Sequence, residues 1–146
     1  MPALSAQPYI LFGGRCEEAL EFYQRAVGAK VDEVMRFKDN PDPMPPGMLA
    51  PGLENKIMHT SFRIGDSLVM ASDGMNASQT VSGASLAVTV KTEAEVDPIF
   101  NALAAGGTVE MPPGKTFWSP RFGMLTDKFG LGWMVMVAGP EVSAAR

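Results

Sequence analysis

Apolar and polar residues alternate in short runs along this chain, and two stretches of helical period interrupt them. Tyr9 to Phe12 is an apolar run stopped by Gly13-Gly14, which predicts a first strand. Cys16, Ala19, Leu20, Tyr23, Ala26 and Val27 recur at steps of three and four, so they share one face of a helix, and Gly28 follows as its C-cap. No Ser, Thr, Asp or Asn stands at the start of that helix to cap it. Val31 to Phe37 predicts a strand, and the five prolines and two glycines of Asn40 to Gly52 then predict a long loop. Lys56 to Ile64 and Ser67 to Ser72 read as two strands joined by a tight turn at Gly65-Asp66.

After a Gly/Ser/Asn-rich stretch from Asp73 to Gly83 the pattern begins again. Ser85 to Val90 predicts a strand, and Thr92 with Glu95 forms a capping box opening a helix with Val96, Ile99, Phe100, Leu103 and Ala104 on its apolar face. Pro98 lies inside that stripe, so the expectation is one long helix kinked at the proline, ending at Gly106-Gly107. Thr108 to Met111, Phe122 to Thr126 and Gly132 to Val137 predict strands, and Gly139 to Arg146 a loose tail. A shift of 78 positions places Glu17 on Glu95, Phe22 on Phe100, Ala26 on Ala104, Gly28 on Gly106 and Val31 on Val109. Such self-similarity marks a repeated module that cannot cover its own sheet alone. The predicted fold is therefore α+β: two βαβββ modules, residues about 7–72 and 85–137, whose curved mixed sheets surround a cavity within one domain spanning 1–146.

Composition narrows the functional classes. The chain has 146 residues, 46% apolar and 19% charged, enough for one soluble domain with its own core. Cys16 is the only cysteine, which excludes an internal disulfide and any cysteine-built zinc or iron–sulfur site. Met1 to Ala6 lacks the basic-then-apolar pattern of a signal peptide, and with the lone thiol this leads us to expect a cytoplasmic protein. A net charge of −4 and a pI near 4.9 argue against a nucleic-acid partner. The apolar run Trp133 to Ala138 is far below the roughly 20 residues of a membrane helix, so no membrane partner is expected.

His59 is the only histidine and hence the leading candidate for an acid–base or ligand-contacting role. In its strand it shares a face with Ser61 and Arg63, while Met58, Thr60 and Phe62 take the other. Cys16 sits on the apolar stripe of its helix beside Glu17 and Glu18, which predicts a buried, inert thiol. Phe117, Trp118, Arg121, Phe122 and Trp133 form the densest aromatic and cationic cluster, where an arginine among rings could clamp an acidic group or simply pack a loop. Gly130-Leu131-Gly132 precedes a strand and lacks a third glycine, so it does not predict a nucleotide or methyltransferase-type cofactor site.

Gly13-Gly14-Arg15-Cys16-Glu17-Glu18-Ala19 before Phe22-Tyr23, then Met58-His59, Ser72-Asp73, Phe117-Trp118 and Asp127-Lys128-Phe129-Gly130 before Trp133 make the chain resemble the PhnB-like branch of the vicinal oxygen chelate superfamily. That superfamily holds glyoxalase I, extradiol dioxygenases, fosfomycin-resistance enzymes and bleomycin-resistance binding proteins. Arg15, Ser119 and Lys128 depart from the branch pattern. The resemblance implies a glyoxalase-like fold and a divalent metal held by side chains from the first and last strands of each module. Carried over by motif and strand phase, those positions fall on Gln7, Met70, Ser85 and Met134, of which only Gln7 suits a hard metal. Thioethers accept copper(I), but Met70 and Met134 read more simply as apolar lining.

The expectation is thus a metal-free, cofactor-free homodimer whose Met-rich cavity binds a small organic molecule, with the Asn40 to Gly52 loop at or near the subunit boundary. Expected lining residues are Tyr9, His59, Met70, Trp118, Arg121 and Met134, with Trp133 on the opposite face of its strand from Met134. The rival expectations are a glyoxalase- or dioxygenase-like enzyme using His59, with or without a recruited metal, and a non-catalytic interaction or regulatory protein.

Overall fold

The structure, a computed structural model, describes residues 4–42, 45, 47–75 and 81–139. The chain divides into two compact units, Met1–Val81 and Ser82–Arg146. In the first, β1 (Tyr9–Leu11) leads into α1 (Cys16–Val27), followed by β2 (Lys30–Arg36), β3 (Ile57–Ile64) and β4 (Ser67–Ser72). The second repeats the order with β5 (Ser85–Val90), α2 (Val96–Ala104), β6 (Thr108–Gly114), β7 (Phe122–Thr126) and β8 (Gly132–Val137). Each unit holds a four-stranded mixed sheet, in the orders β1-β4-β3-β2 and β5-β8-β7-β6, with one parallel pair, β1 with β4 or β5 with β8. The α+β architecture of two repeated βαβββ modules expected from the chain is the one found.

Alternation assigns the faces. In the first unit Ile10, Phe62, Val69 and Ala71 are buried, and the Phe62 ring stacks against Tyr23 of α1 at 6.1 Å between centroids. In the second, Leu125, Trp133 and Val135 are buried with Phe100 and Leu103 of α2. Gly123 makes that fit possible, because a Cβ there would lie 2.7 Å from the Phe100 ring. The first helix closes on Gly28 in the left-handed conformation at φ 69°, its N–H bonded to the Tyr23 carbonyl. Its uncapped start is served from outside: Asp73, just past β4, accepts a hydrogen bond from the Cys16 amide at 2.7 Å.

Several boundaries differ from expectation for local reasons. The long helix kinked at Pro98 is instead a 3-10 turn, Glu93–Glu95, capped by the Thr92/Glu95 box and followed by an α-helix beginning at Val96. Pro98 then falls in the first turn, where its missing N–H has no intrahelical partner to lose. The strand expected at Thr108 to Met111 runs on through Pro112 and Pro113 to Gly114, which an edge strand permits. Phe37, placed by the pattern in β2, is instead buried as the first residue of a 3-10 turn, Phe37–Asp39. Within the Asn40 to Gly52 loop the described residues form no helix or strand, and residues 43, 44 and 46 lie outside the described residues, as do residues 140–146 of the tail.

Bulges recur at equivalent places. Asp32 is the extra residue between the pairs Val31/Phe62 and Glu33/Ser61, and Glu110 the extra residue between Val109/Leu125 and Met111/Met124. These two positions are 78 apart, the repeat distance of the sequence. Asp32 accepts a hydrogen bond from Arg63 at 2.9 Å, whereas Glu110 accepts one from Thr126 at 3.0 Å.

Candidate functional site

The sheet face of the first unit that turns away from α1 carries its polar chemistry. The register sets Tyr9 beside Met70, Met70 beside Ser61 and Ser61 beside Glu33, with His59 opposite Met35. Tyr9 reaches across this face to His59: its hydroxyl lies 3.2 Å from Nδ1, with ring centroids 5.7 Å apart. The other imidazole nitrogen, Nε2, is 4.0 Å from a Glu33 carboxylate oxygen. Burial outweighs the opposing influence of the nearby Ser72 hydroxyl and holds the Tyr9 phenol's pKa above its ordinary value.

Beside this line lies a half-open cavity of about 450 Å³, lined by Tyr9, Leu11, Phe37, Met58, Ser72 and Met75 among others. Its walls are hydrocarbon and thioether, with hydroxyls from Tyr9 and Ser72. Sequence reasoning missed Met58 because simple alternation puts it on the α1 side, opposite His59. The pairs Met35/His59 and Arg36/Ile57 leave Met58 as the extra residue of a bulge, which re-aims its side chain. Met75 sits in a Gly/Ser/Asn-rich connection and carried no periodic signal, and residues 76–80 of that connection lie outside the described residues.

The remaining candidates lie in the second unit. Met134 is on the face of β8 opposite to Trp133, in register between Ala87 and Met124, with Met111 opposite Met124 in turn. Ser85 pairs with Gly132 on β8. Trp133 is buried, and its indole N–H donates to Asp127 at 2.8 Å. Trp118 is partly exposed, edge-on to Phe117 and Phe122 at 4.7 and 5.2 Å. Arg121 donates two hydrogen bonds to Asp97 of α2, at 2.7 and 2.8 Å, and holds the Asp97 carboxyl below the usual carboxylate range. Its fork is thus already engaged with a carboxylate of its own chain. The structure brings Tyr9, His59 and Met70 together on one face, and places Ser85, Trp118, Arg121 and Met134 in the other unit.

The acidic motifs are structural pins. Asp73 accepts hydrogen bonds from the Cys16 and Ile57 amides, tying the start of α1 to the start of β3. Asp127 accepts from the Phe129 and Leu131 amides and the Trp133 indole, so the backbone around Gly130-Leu131-Gly132 already serves a carboxylate of its own chain. Cys16 is buried, and desolvation, then Asp73, then Glu17 push its thiol pKa far up, so it stays protonated.

The positions to which the resemblance carries a metal site, Gln7, Met70, Ser85 and Met134, supply an amide, two thioethers and a hydroxyl. That donor chemistry does not fit a divalent ion such as zinc, iron or manganese. Among the described residues no group of three or more His, Cys, Asp or Glu is placed to hold a metal ion elsewhere.

A family model described as 3-demethylubiquinone-9 3-methyltransferase matches residues 5–136. Protein YjdN of Escherichia coli strain K12 is 36% identical over 138 residues, covering 89% of this chain and 92% of its own. Protein PA1353 from Pseudomonas aeruginosa has a similar structure, with 38% identity, a TM-score of 0.80, and coverage of 93% of this chain and 98% of that one. A Bacillus cereus structure described as a putative 3-demethylubiquinone-9 3-methyltransferase, PhnB protein, gives 30% identity and a TM-score of 0.76 over 92% of this chain and all of its own (100%). The fosfomycin resistance protein FosX of Listeria monocytogenes, at 13% identity and a TM-score of 0.61 over 94% of this chain and 95% of its own, shares the fold alone. That fold is the glyoxalase-like one of the vicinal oxygen chelate superfamily.

Proposed function

The chain belongs to the 3-demethylubiquinone-9 3-methyltransferase family, with PhnB-like relatives, and from that premise we propose that it is a binding protein for a small, uncharged organic molecule. The observation that carries this reading is the cavity of about 450 Å³ beside β1 and β4, with carbon and thioether walls and two hydroxyls. A site of that size with few polar groups suits a compact ligand held by shape and one or two hydrogen bonds. Met58 and Met75 favour a ring-bearing ligand, since thioethers adapt to and attract aromatic edges. No cation lines the cavity among the described residues, so nothing there selects an anion.

The family name implies a methyl donor, but the 130–132 turn, whose neighbouring amides serve Asp127, does not fit a cradle for one. Divalent metal chemistry has no suitable donor set at Gln7, Met70, Ser85 and Met134. The protein thus works as a metal-free binder, and as a homodimer with the Asn40–Gly52 loop at the subunit boundary. A second reading, an acid–base enzyme, draws on one observation, the Tyr9–His59–Glu33 line at the cavity's edge.

The test is a thermal-shift screen of uncharged ring compounds against the protein and its Leu11→Trp variant, which fills the cavity. A ligand at a hundred times its Kd stabilises by about 2.7 kcal/mol, a rise of roughly 5–10 °C in a chain of this size. Shifts seen in the protein and lost in Leu11→Trp are expected; no shift, or shifts the substitution leaves intact, would overturn the reading. Calorimetry with zinc and nickel should give no tight stoichiometric binding, and finding it would restore the metalloenzyme. Light scattering at micromolar concentration should give twice the chain mass; a monomer refutes the dimer.

A further inference from the structure

The Tyr9 hydroxyl of the cavity wall belongs to a longer line, Tyr9 to His59 to Glu33, while the Ser72 hydroxyl gives its proton to the Ile57 carbonyl at 3.4 Å. His59 is not on the wall; it reaches the cavity only through the Tyr9 hydroxyl, 3.2 Å from its Nδ1. The Glu33 carboxylate, 4.0 Å from Nε2, favours a proton on that nitrogen and leaves Nδ1 of the neutral ring as an acceptor. Tyr9 must then donate its single proton to His59, and only its oxygen lone pairs remain to face the cavity.

Protonation reverses the bond. The imidazolium donates from both nitrogens, so His59 Nδ1 gives its hydrogen to the Tyr9 oxygen while Nε2 faces the Glu33 carboxylate. The Tyr9 oxygen now accepts from His59, and its own proton turns to the cavity. The groups around His59 leave this exchange to Tyr9 and Glu33. β4 supplies Met70 and Ser72, β2 places Met35 opposite His59, and further along the face Arg63 is ion-paired with Asp32, with Lys30 opposite Arg63.

Building on the binding reading above, we propose that the cavity takes an uncharged ring compound bearing a carbonyl group, held by the Tyr9 hydroxyl as donor, and that protonated His59 positions that donor. The ligand's carbonyl oxygen needs a donor and offers none, so it matches only the state with His59 protonated. Tyr9 contacts the ligand; His59 is a positioning residue.

The probes are acetophenone, which accepts but does not donate, and ethylbenzene, its shape-matched counterpart without a polar group. Binding is measured by calorimetry near pH 5.5 and near pH 8. Acetophenone should bind about 5- to 10-fold more tightly at the lower pH, the worth of one hydrogen bond. Ethylbenzene should bind equally at both. Tyr9→Phe and His59→Asn should each abolish the pH dependence for acetophenone, and ethylbenzene binding should show no pH dependence in either variant. Acetophenone binding of equal strength at both pH values, or a pH dependence that survives His59→Asn, overturns this proposal and leaves the binding reading standing. Failure of both probes to bind at either pH, together with an empty thermal-shift screen, overturns both. If a variant does not fold, the comparison of the two probes in the unaltered protein still decides.

Discussion

The two units share a topology and differ in what their open sheet faces carry. The face of the first unit turned away from its helix holds Tyr9, His59, Ser61 and Glu33 around Met70. At the corresponding face of the second, Met111, Met124 and Met134 stand in one row across three strands, with Met136 beside Phe122 in the next row. The helix-covered faces are alike, aromatic and aliphatic in both. A core under a helix must match in volume and exclude polar atoms, whereas an open face makes no such demand. Its chemistry can therefore diverge between repeats while the fold stays the same. The carboxylate pins diverge too: Asp73 ties a helix start to a strand start, and Asp127 closes a turn around Trp133.

Removing those pins should have the largest effect. Asp73→Ala strips the acceptor from two amides beside buried residues, and a loss of about 3–5 kcal/mol in urea unfolding is expected. Hydrogen exchange should then rise first at the start of α1 and of β3. Asp127→Ala should cost a similar amount but raise exchange in the 127–133 turn, and matched exchange patterns in the two variants would erase the distinction between the pins.

The first unit should also be the alkali-sensitive one. Burial, Asp73 and Glu17 raise the Cys16 pKa in the folded state, so the stability this thiol contributes is present below its unfolded value, about 8.5, and lost as pH rises beyond it. The expected loss is about 1.4 kcal/mol for each pH unit above that point, as the unfolded thiol ionises and the folded one does not. Tyr9, also raised, adds to the loss above about pH 10. Cys16→Ala should remove the thiol's part of this slope in unfolding experiments at pH 7 and 10; an unchanged slope would show that the thiol ionises freely in the folded chain.

The open faces should tolerate substitution better than the covered ones. Met124→Leu keeps the volume and should change stability by less than about 1.5 kcal/mol, whereas Leu125→Ala on the covered face should cost about 2–5 kcal/mol. Equal costs would mean that the Met row is as tightly packed as the helix-facing core.

Smallest of all are the ion pairs, Arg36 with Glu17 in the first unit and Arg121 with Asp97 in the second. Both carboxyls have lowered pKa values, so the stability they add is present above their unfolded values and lost as pH falls through the folded ones. Arg121→Ala should weaken the protein slightly at neutral pH, less so at high salt, and not at all once Asp97 is protonated in acid.

Much of the fold was legible in the chain because its signals are local. The 78-residue repeat, the helix stripes at Cys16 to Val27 and Val96 to Leu103, and strands such as β4, β5, β7 and β8 all follow from spacing alone. His59 was legible as a candidate because it is the only histidine, and Tyr9 because it is an amphipathic residue in a short apolar strand. Their hydrogen bond was not, since it depends on which strands are neighbours and in what register, and β1 and β3 are brought within reach by β4 between them. Met58 was hidden by a bulge that breaks alternation, the length of β6 by edge pairing that tolerates proline, and the straight start of α2 by a 3-10 turn that absorbs the capping box. The sequence by itself determined what each segment is, through periodicity and turn chemistry acting over a few residues. Only the tertiary structure decided which side chains meet, because a partner 50 residues away, as His59 is from Tyr9, is chosen by sheet order and not by anything written near either residue.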